Sequence, residues 1–140
     1  MAEADIIGAI MARLNDDAVV SGLVAGRVFG GELPDTETAL MPRAAIVLRP
    51  SGGASLAAGS YVEHDTQRFD SLAYGATPSE ANKLARRVRR VLTKTRRQVV
   101  SGCLIHWIEV AGGFSAGRDK DAAWPIAFQS FQAFHALQEV

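Results

Sequence analysis

The sequence TPSEANKLARRVRRVLTKTRR, residues Thr77–Arg97, decides how the rest of the chain folds. Its apolar residues recur every three or four positions, the spacing that puts side chains on one face of an α-helix. Thr77 is a preferred cap residue, Pro78 suits the first helical position, and Glu80 completes a capping box. The pattern predicts a long amphipathic helix. Its apolar face consists of Ala81, Leu84, Ala85, Val88, Val91 and Leu92.

The opposite face of this predicted helix is cationic. The stretch holds eight of the fifteen basic residues and one of the fifteen acidic residues, so it carries +7 and the remainder of the chain carries −7. This segregation favours self-association, in which an acidic face of one copy meets a basic face of another. It favours nucleic-acid binding less, because such domains usually carry a net positive charge. At 100° per residue, the cations that point away from the apolar face are Lys83, Arg86, Arg90, Lys94 and Arg97.

Length and composition indicate a single globular domain over residues 1–140, with 48% hydrophobic residues. The one cysteine, Cys103, excludes an internal disulfide framework and fits a reducing cytoplasm. No apolar run approaches the roughly 20 residues that span a bilayer. The amino terminus begins acidic and lacks the basic region of a secretory signal. We therefore expect a soluble protein made in the cytoplasm, with no membrane partner.

Periodicity predicts two further helical segments and several strands. A first helix is expected over Asp5–Leu14, broken by Asn15-Asp16, and a short helical turn over Asp17–Leu23. Short extended pieces are expected at Arg27–Phe29 and from Val99. The four full strands are predicted at Ala44–Arg49, Tyr61–Tyr74, Cys103–Val110 and Trp124–Leu137. The apolar spacing of the last segment fits both a helix and a strand, and its three phenylalanines and Pro125 favour the strand.

Glycine, proline and polar residues predict flexible loops at about 30–43, 51–60 and 115–123, and Gly112-Gly113 is expected to end the third strand. Consecutive strands joined by short turns favour antiparallel pairing, and the helix between the two pairs is expected to cover one face. The predicted fold class is therefore α+β. It consists of an antiparallel four-stranded sheet covered on one face by the long amphipathic helix plus an N-terminal helix.

No residue pattern predicts a catalytic, cofactor-binding or metal site. Cys103 and His106 have C-x-x-H spacing, but on a strand they point to opposite faces, and His64 and His135 lie elsewhere. No serine or cysteine sits in a nucleophile signature. The glycine-rich stretch at 51–59 lacks the Lys-Ser/Thr ending of a phosphate-binding loop. We expect no enzymatic activity and no cofactor.

Three interpretations of the basic face remain open. It is a solvated face, a contact with a neighbouring subunit, or a DNA contact made mostly through phosphates. Aromatic residues do not interleave with the cations, which disfavours stacking on single strands. The acidic loop at about 30–43 is the natural counterpart of a subunit contact. The candidate interface residues are Arg86, Arg87, Arg90, Lys94 and Arg97 on the basic side and Glu32, Asp35 and Glu37 on the acidic side.

Three stretches, in this order, resemble one known family. They are LVAGRVF (Leu23–Phe29), MPRAAIVLRPSGG (Met41–Gly53) and QRFDSLAYGATPSEANKLARRVRRVL (Gln67–Leu92), followed by two strands around a polar loop. With this pattern the chain resembles the bacteriophage tail terminator family, also called tail completion or head–tail joining proteins. The resemblance spans nearly the whole chain, and its motifs are hydrophobic patterns and turn residues, with no chemical signature among them.

The resemblance implies a structural protein of the virion, located at the tail neck and made in the host cytoplasm. It implies a ring, typically a hexamer, that caps the tail tube protein and docks the head-side connector or stopper protein. DNA passes through such a ring without sequence-specific binding. The glycine-rich arm at 51–60 and the acidic loop are the expected reaching elements. Two alternatives remain: another neck protein, for head completion or stopping, or a DNA-binding accessory domain that uses helix 77–97.

Overall fold

Six strands form one mixed sheet, curled into a half-barrel, in the computed structural model, which describes residues 2–52, 63–120 and 122–140. The strand order across the sheet is β1-β2-β3-β6-β5-β4. The helices are α1 (Ile6–Asp16), α2 (Ala18–Val24), α3 (Asp35–Thr38) and α4 (Pro78–Thr93). The strands are β1 (Val28–Gly30), β2 (Ala45–Ser51), β3 (His64–Tyr74), β4 (Arg96–Val100), β5 (Cys103–Arg118) and β6 (Pro125–Ala136).

Helix α4 is the amphipathic helix that the sequence predicts. Thr77 caps it by accepting a hydrogen bond from the Glu80 backbone N–H at 3.2 Å, and the Glu80 carboxylate accepts one from the Ala76 N–H at 3.2 Å. All six predicted apolar residues are buried. The predicted C-terminal limit is wrong, because the helix ends at Thr93 and Arg97 lies on β4.

The main core lies between the sheet and helices α1, α2 and α4. Phe69 of β3 and Phe131 of β6 stack at its centre, with ring centroids 5.5 Å apart and both side chains fully buried. Strands β2 and β5 extend this face on either side. The other buried side chains contributed by the sheet include Ile46, Leu48, Ile105 and Ile108, and those contributed by α1 and α2 include Ile10, Leu14, Val20 and Val24.

A smaller apolar cluster covers part of the opposite face of the sheet. Ala45, Val47 and Tyr74 form its buried centre. Leu33 and Met41, from the segment between β1 and β2, pack against it. The segment predicted as a loop at about 30–43 therefore contributes to the packing, and it contains helix α3.

The expected four-stranded antiparallel sheet is wrong, because two more strands complete the sheet. Strand β1 pairs with β2 in parallel, with Val28 opposite Ile46, which makes the sheet mixed. Strand β4 pairs with β5 through a two-residue turn in which Ser101 and Gly102 both have positive φ, +48° and +80°. Positive φ at both central residues is the geometry that joins antiparallel strands tightly. Helix α1 also runs two residues beyond its predicted end at Leu14, since it includes Asn15 and Asp16.

The third full strand is longer than predicted. Gly112-Gly113 was expected to end it, but β5 continues to Arg118, and the loop expected from residue 115 therefore begins after strand residues. A register shift between Val110 and Phe114 absorbs the extra residues as a bulge, after which pairing with β6 resumes. The strand predicted at the carboxyl end is confirmed as β6. The loop predicted at 51–60 falls mainly on residues outside the described ranges.

Gly75 joins β3 to α4 at a point where the backbone leaves no room for a side chain. A Cβ built on Gly75 would lie 2.5 Å from the Ala81 backbone N. We expect Gly75→Ala to lower the free energy of unfolding by about 1–3 kcal/mol, because the first turn of α4 must shift. The matched control is Gly22→Ala in α2, where nothing lies within 4 Å and alanine favours the helix. Equal urea midpoints for the two variants would contradict this close approach.

Candidate assembly surface

The described chain exposes a cationic face on α4, because its apolar face is committed to the core. Arg86, Arg90 and Lys94 are exposed, as is Arg89, which was not among the predicted interface residues. No ion pair within the described chain involves any of them. Arg97 is also exposed, but it projects from β4 and is separated from the helix row. The structure thus brings together three of the five predicted basic residues.

Arg87 has a different role from its neighbours. Its guanidinium forms a bidentate salt bridge with the Asp17 carboxylate, with N–O distances of 2.8 and 3.0 Å. The same carboxylate caps α2 by accepting a hydrogen bond from the Val20 N–H at 3.0 Å. Arg87 therefore ties α4 to α2, and it does not contribute a free charge to the surface.

These hydrogen bonds change the acidity of Asp17. The pKa of the carboxyl group is lowered from 3.8 to about 2, chiefly by the hydrogen bond from Arg87 and against an opposing effect of burial. The Val20 N–H and the positive charges of Arg87 and Arg13 contribute to the same lowering. The carboxylate stays ionised over nearly the whole pH range in which the protein is handled.

The three predicted acidic residues also fall into two groups, two that are exposed and one that is buried in an internal ion pair. Glu32 and Asp35 are exposed, and neither forms an ion pair within the described residues. Glu37 is buried, and both its carboxylate oxygens accept hydrogen bonds from Arg43 at 2.7 and 2.8 Å. This contact lowers the pKa of Glu37, opposed by burial and assisted by Arg27. Glu37 holds its own loop together, and only the other two acids are available to a partner.

An open apolar groove of about 210 Å³ runs between α2 and α4. Its floor is formed by Val19, which is 47% exposed, and Leu23. Lys83, Arg86 and Arg90 line its rim beside Arg87. An apolar floor with a cationic rim suits an acidic segment that carries an apolar side chain.

A second groove, of about 270 Å³, lies on the other side of α4 against β5. Phe114 is 48% exposed in it. Ala85, Arg86 and Arg89 line the helix side. The two grooves share Arg86, so the cationic face is flanked by accessible apolar surface on both sides.

The opposite face of the sheet carries a separate aromatic and histidine cluster. His106 Nε2 lies 3.0 Å from His64 Nδ1, and Phe134 lies against both rings. Burial lowers the pKa of His106, with a further effect from His64 and His135. Cys103 is buried in the main core, on the other side of the sheet from His106.

The described residues contain no group of three or more His, Cys, Asp and Glu side chains that could hold a metal ion. Burial raises the pKa of the Cys103 thiol, which disfavours the nucleophilic thiolate. None of the described helices is both long and apolar enough to cross a membrane. What this surface offers chemically is charge and apolar contact, and that is suited to binding.

Four residues that shape this surface are absent from the predicted interface set: Val19, Leu23, Arg89 and Phe114. A weak signal for one of them was available. Phe114 is the only large apolar residue in the stretch 111–123, and it lies between the predicted strand end at Gly112-Gly113 and the loop predicted from residue 115. The groove between α2 and α4 depends on how the two helices pack, which periodicity within each helix does not specify.

No protein-family model matches this chain, and no curated protein matches it at a significant level. The chain is similar in structure to a chain of a solved assembly described as the virion of a native gene transfer agent (GTA) particle. The two chains have a TM-score of 0.67 and 18% sequence identity, and the match covers 94% of each. At this identity the likeness shows a shared fold over essentially the full length of both chains.

The contact between Asp17 and Arg87 leads to a pH-dependent prediction. Because the folded-state pKa lies below the ordinary value, the ionised carboxylate stabilises the fold above about pH 4, and this contribution is lost as the pH falls toward 2. Asp17→Asn keeps a good helix cap but loses the ion pair. We expect the variant to unfold at lower urea than the wild type near pH 7, with the difference shrinking toward pH 2.

Asp16→Asn, at the exposed neighbouring acid, is the matched control and is expected to change the urea midpoint little. A difference between Asp17→Asn and wild type that is the same at about pH 7 and pH 2 would rule out the ion pair as its cause.

Proposed function

We propose that this protein is a structural virion protein: a tail terminator that forms a ring on the tail tube and joins the tail to the head-side connector. The observation that carries the proposal is the full-length likeness in fold to a chain of a gene transfer agent virion. The sequence resemblance to tail terminators also supports it, through the hydrophobic patterns and turn residues of Leu23–Phe29, Met41–Gly53 and Gln67–Leu92. The proposed role involves no catalysis, cofactor or membrane.

The distribution of charge supports a ring built from repeated copies. A closed ring needs head-to-tail contacts, in which one patch meets a different patch on the next subunit. The free cations of Arg86, Arg90 and Lys94 and the free acids of Glu32 and Asp35 provide two such patches on one neutral chain. We propose a hexamer in which these patches pair, with Arg97 near the contact and Arg87 and Glu37 supporting it from within each subunit.

The proposed partners follow from this location at the tail neck. One surface of the ring meets the tail tube protein and another meets the connector or stopper protein. DNA passes through the ring without sequence-specific contacts. A protein that binds the connector but not the tube would instead be a stopper or head-completion protein, so binding to isolated tubes separates these neck functions.

The assembly state tests the proposal directly. The measurement is the molar mass of the assembly by size-exclusion chromatography with light scattering. It is made at low and at physiological salt, on the protein alone and on its mixture with purified tail tube protein. We expect a six-fold assembly in at least one of these conditions. A protein that stays monomeric in all of them contradicts the proposal. If that monomer also binds DNA with a steep salt dependence, it would be an accessory nucleic-acid-binding domain.

Charge reversal tests the pairing of the two patches. Reversing Arg86 and Arg90 to Glu is expected to abolish the ring at physiological salt, because like charges then face Glu32 and Asp35. Reversing Glu32 and Asp35 to Arg is expected to do the same. Combining the four changes is expected to restore assembly, which light scattering measures. Arg96→Glu, at an exposed cation that lines neither groove, is the control. Unchanged assembly of the first variant would refute the charge pairing.

A further inference from the structure

Strand β5 has one open edge over its second half. On one side β6 pairs with it as far as Arg118, opposite Pro125. On the other side β4 pairs only as far as Trp107, opposite Arg96. Within the described residues, no strand lies beside the β4 side of β5 after Trp107. A run of regular strand is therefore paired on one side alone.

The hydrogen bonds at the hairpin end show which backbone groups face this edge. The Asp119 N–H donates to the Trp124 carbonyl at 2.8 Å, so this pair is bonded across the hairpin. The Pro125 carbonyl accepts from the Gly75 N–H at 3.3 Å, on the side away from β5. Antiparallel pairs alternate between bonded and non-bonded. Ser115 and Gly117 therefore bond to β6, and the residues whose N–H and C=O groups point to the open edge are Phe114, Ala116 and Arg118.

From Phe114 to Gly117 this edge lacks the features that keep natural sheet edges from pairing. Edges are commonly protected by lysine, proline, a bulge or very short length. From Gly112 to Gly117 the sequence GGFSAG contains no charged residue and no proline, and every residue is exposed. The bulge lies before Phe114, so pairing is regular from Phe114 to Arg118. Small side chains leave the backbone of this stretch open to an incoming strand.

We propose that the open edge of β5 accepts an extended segment of a second copy of this chain, so that the sheet continues from one subunit into the next. This inference rests on the proposed ring and specifies how its copies join. Main-chain hydrogen bonds supply the contact, and side chains on alternate positions of the added strand supply its specificity.

The surroundings of the edge specify an acidic occupant. Arg86 and Arg89 line the groove beside Phe114, and Arg118 and Lys120 are exposed at the far end of the strand. An added strand directs alternate side chains into that groove, where acidic groups are favoured.

The same chain carries such a segment at the other end of its sheet. Strand β1 is the opposite edge of the sheet, and the exposed acids that follow it are Glu32 and Asp35, the latter being the first residue of α3. Because β1 and the open part of β5 are different edges, their contact is head-to-tail, the kind that closes a ring. We therefore identify the occupant as the segment from β1 to Asp35 of the neighbouring subunit.

Two variants at one position test the contact. Ala116→Pro removes an N–H that points to the open edge and makes no bond to β6, so the subunit keeps its own ladder. Ala116→Val keeps the N–H and favours extended backbone. We expect Ala116→Pro to raise the protein concentration for half-assembly by about tenfold or more. At least one main-chain hydrogen bond to the incoming strand is lost, and the pyrrolidine ring of proline clashes with that strand. Ala116→Val is expected to assemble like the wild type.

Hydrogen exchange on the wild-type protein gives a readout that does not depend on a variant folding. On assembly, amides in 112–118 and in 28–35 are expected to exchange more slowly. Assembly without slower exchange in 112–118, or wild-type assembly by a folded Ala116→Pro, overturns strand addition and leaves the ring function intact. Slower exchange in 112–118 only after tail tube protein is added, with a ring already formed, overturns the second copy as occupant. Absence of any assembly overturns both proposals.

Discussion

The burial of the apolar face of α4 on the sheet is the interaction on which the rest of the structure depends. Its six apolar side chains are all 5% exposed or less, and they cover the face where Phe69 stacks on Phe131. A helix can bury only one face against a sheet, so the cations must point away from it. The core thereby fixes the orientation of the basic surface, even though no cation takes part in the core.

The sequence predicts a helix or strand well where a periodic apolar pattern extends over many residues. It predicts poorly where a short segment becomes a strand only by pairing with a neighbouring strand. Helix α4 follows from a periodic pattern of more than ten residues. Strand β6 is of similar length, but its apolar spacing fits both a helix and a strand, and only its phenylalanines and Pro125 favour the strand. Strand β4 was predicted only from Val99, because Arg96 and Arg97 directly continue a helical pattern and join the strand only by its pairing with β5. Strand β1 has three residues, too few for any periodicity. Gly112-Gly113 indicates a turn locally, yet it lies in a bulge because β6 offers partners beyond it.

The sign of the charge on the candidate surface was predictable from the sequence, but the residues that contribute this charge were not. Arg86 and Arg87 are adjacent in sequence, but only Arg87 lies within reach of Asp17. Glu32 and Glu37 belong to one acidic stretch, but Arg43 follows Glu37 at a distance that lets their side chains meet. Charge segregation along the chain therefore overstates the charge available to a partner, since each internal pair removes one cation and one anion. Which charges remain free depends on packing between elements.

The open edge of β5 is itself a consequence of where α4 ends. Only Lys94 and Thr95 separate the last residue of the helix from β4, and Thr95 is buried, with its hydroxyl donating to the Val91 carbonyl at 3.0 Å. Strand β4 must therefore begin at the carboxyl end of α4. Since the tight turn at Ser101-Gly102 sets its register, Arg96 meets Trp107 and the pairing extends no further along β5. The length of α4 and a two-residue turn together leave the second half of β5 without a neighbour on that side in the described chain, beside the cationic face that the same helix presents.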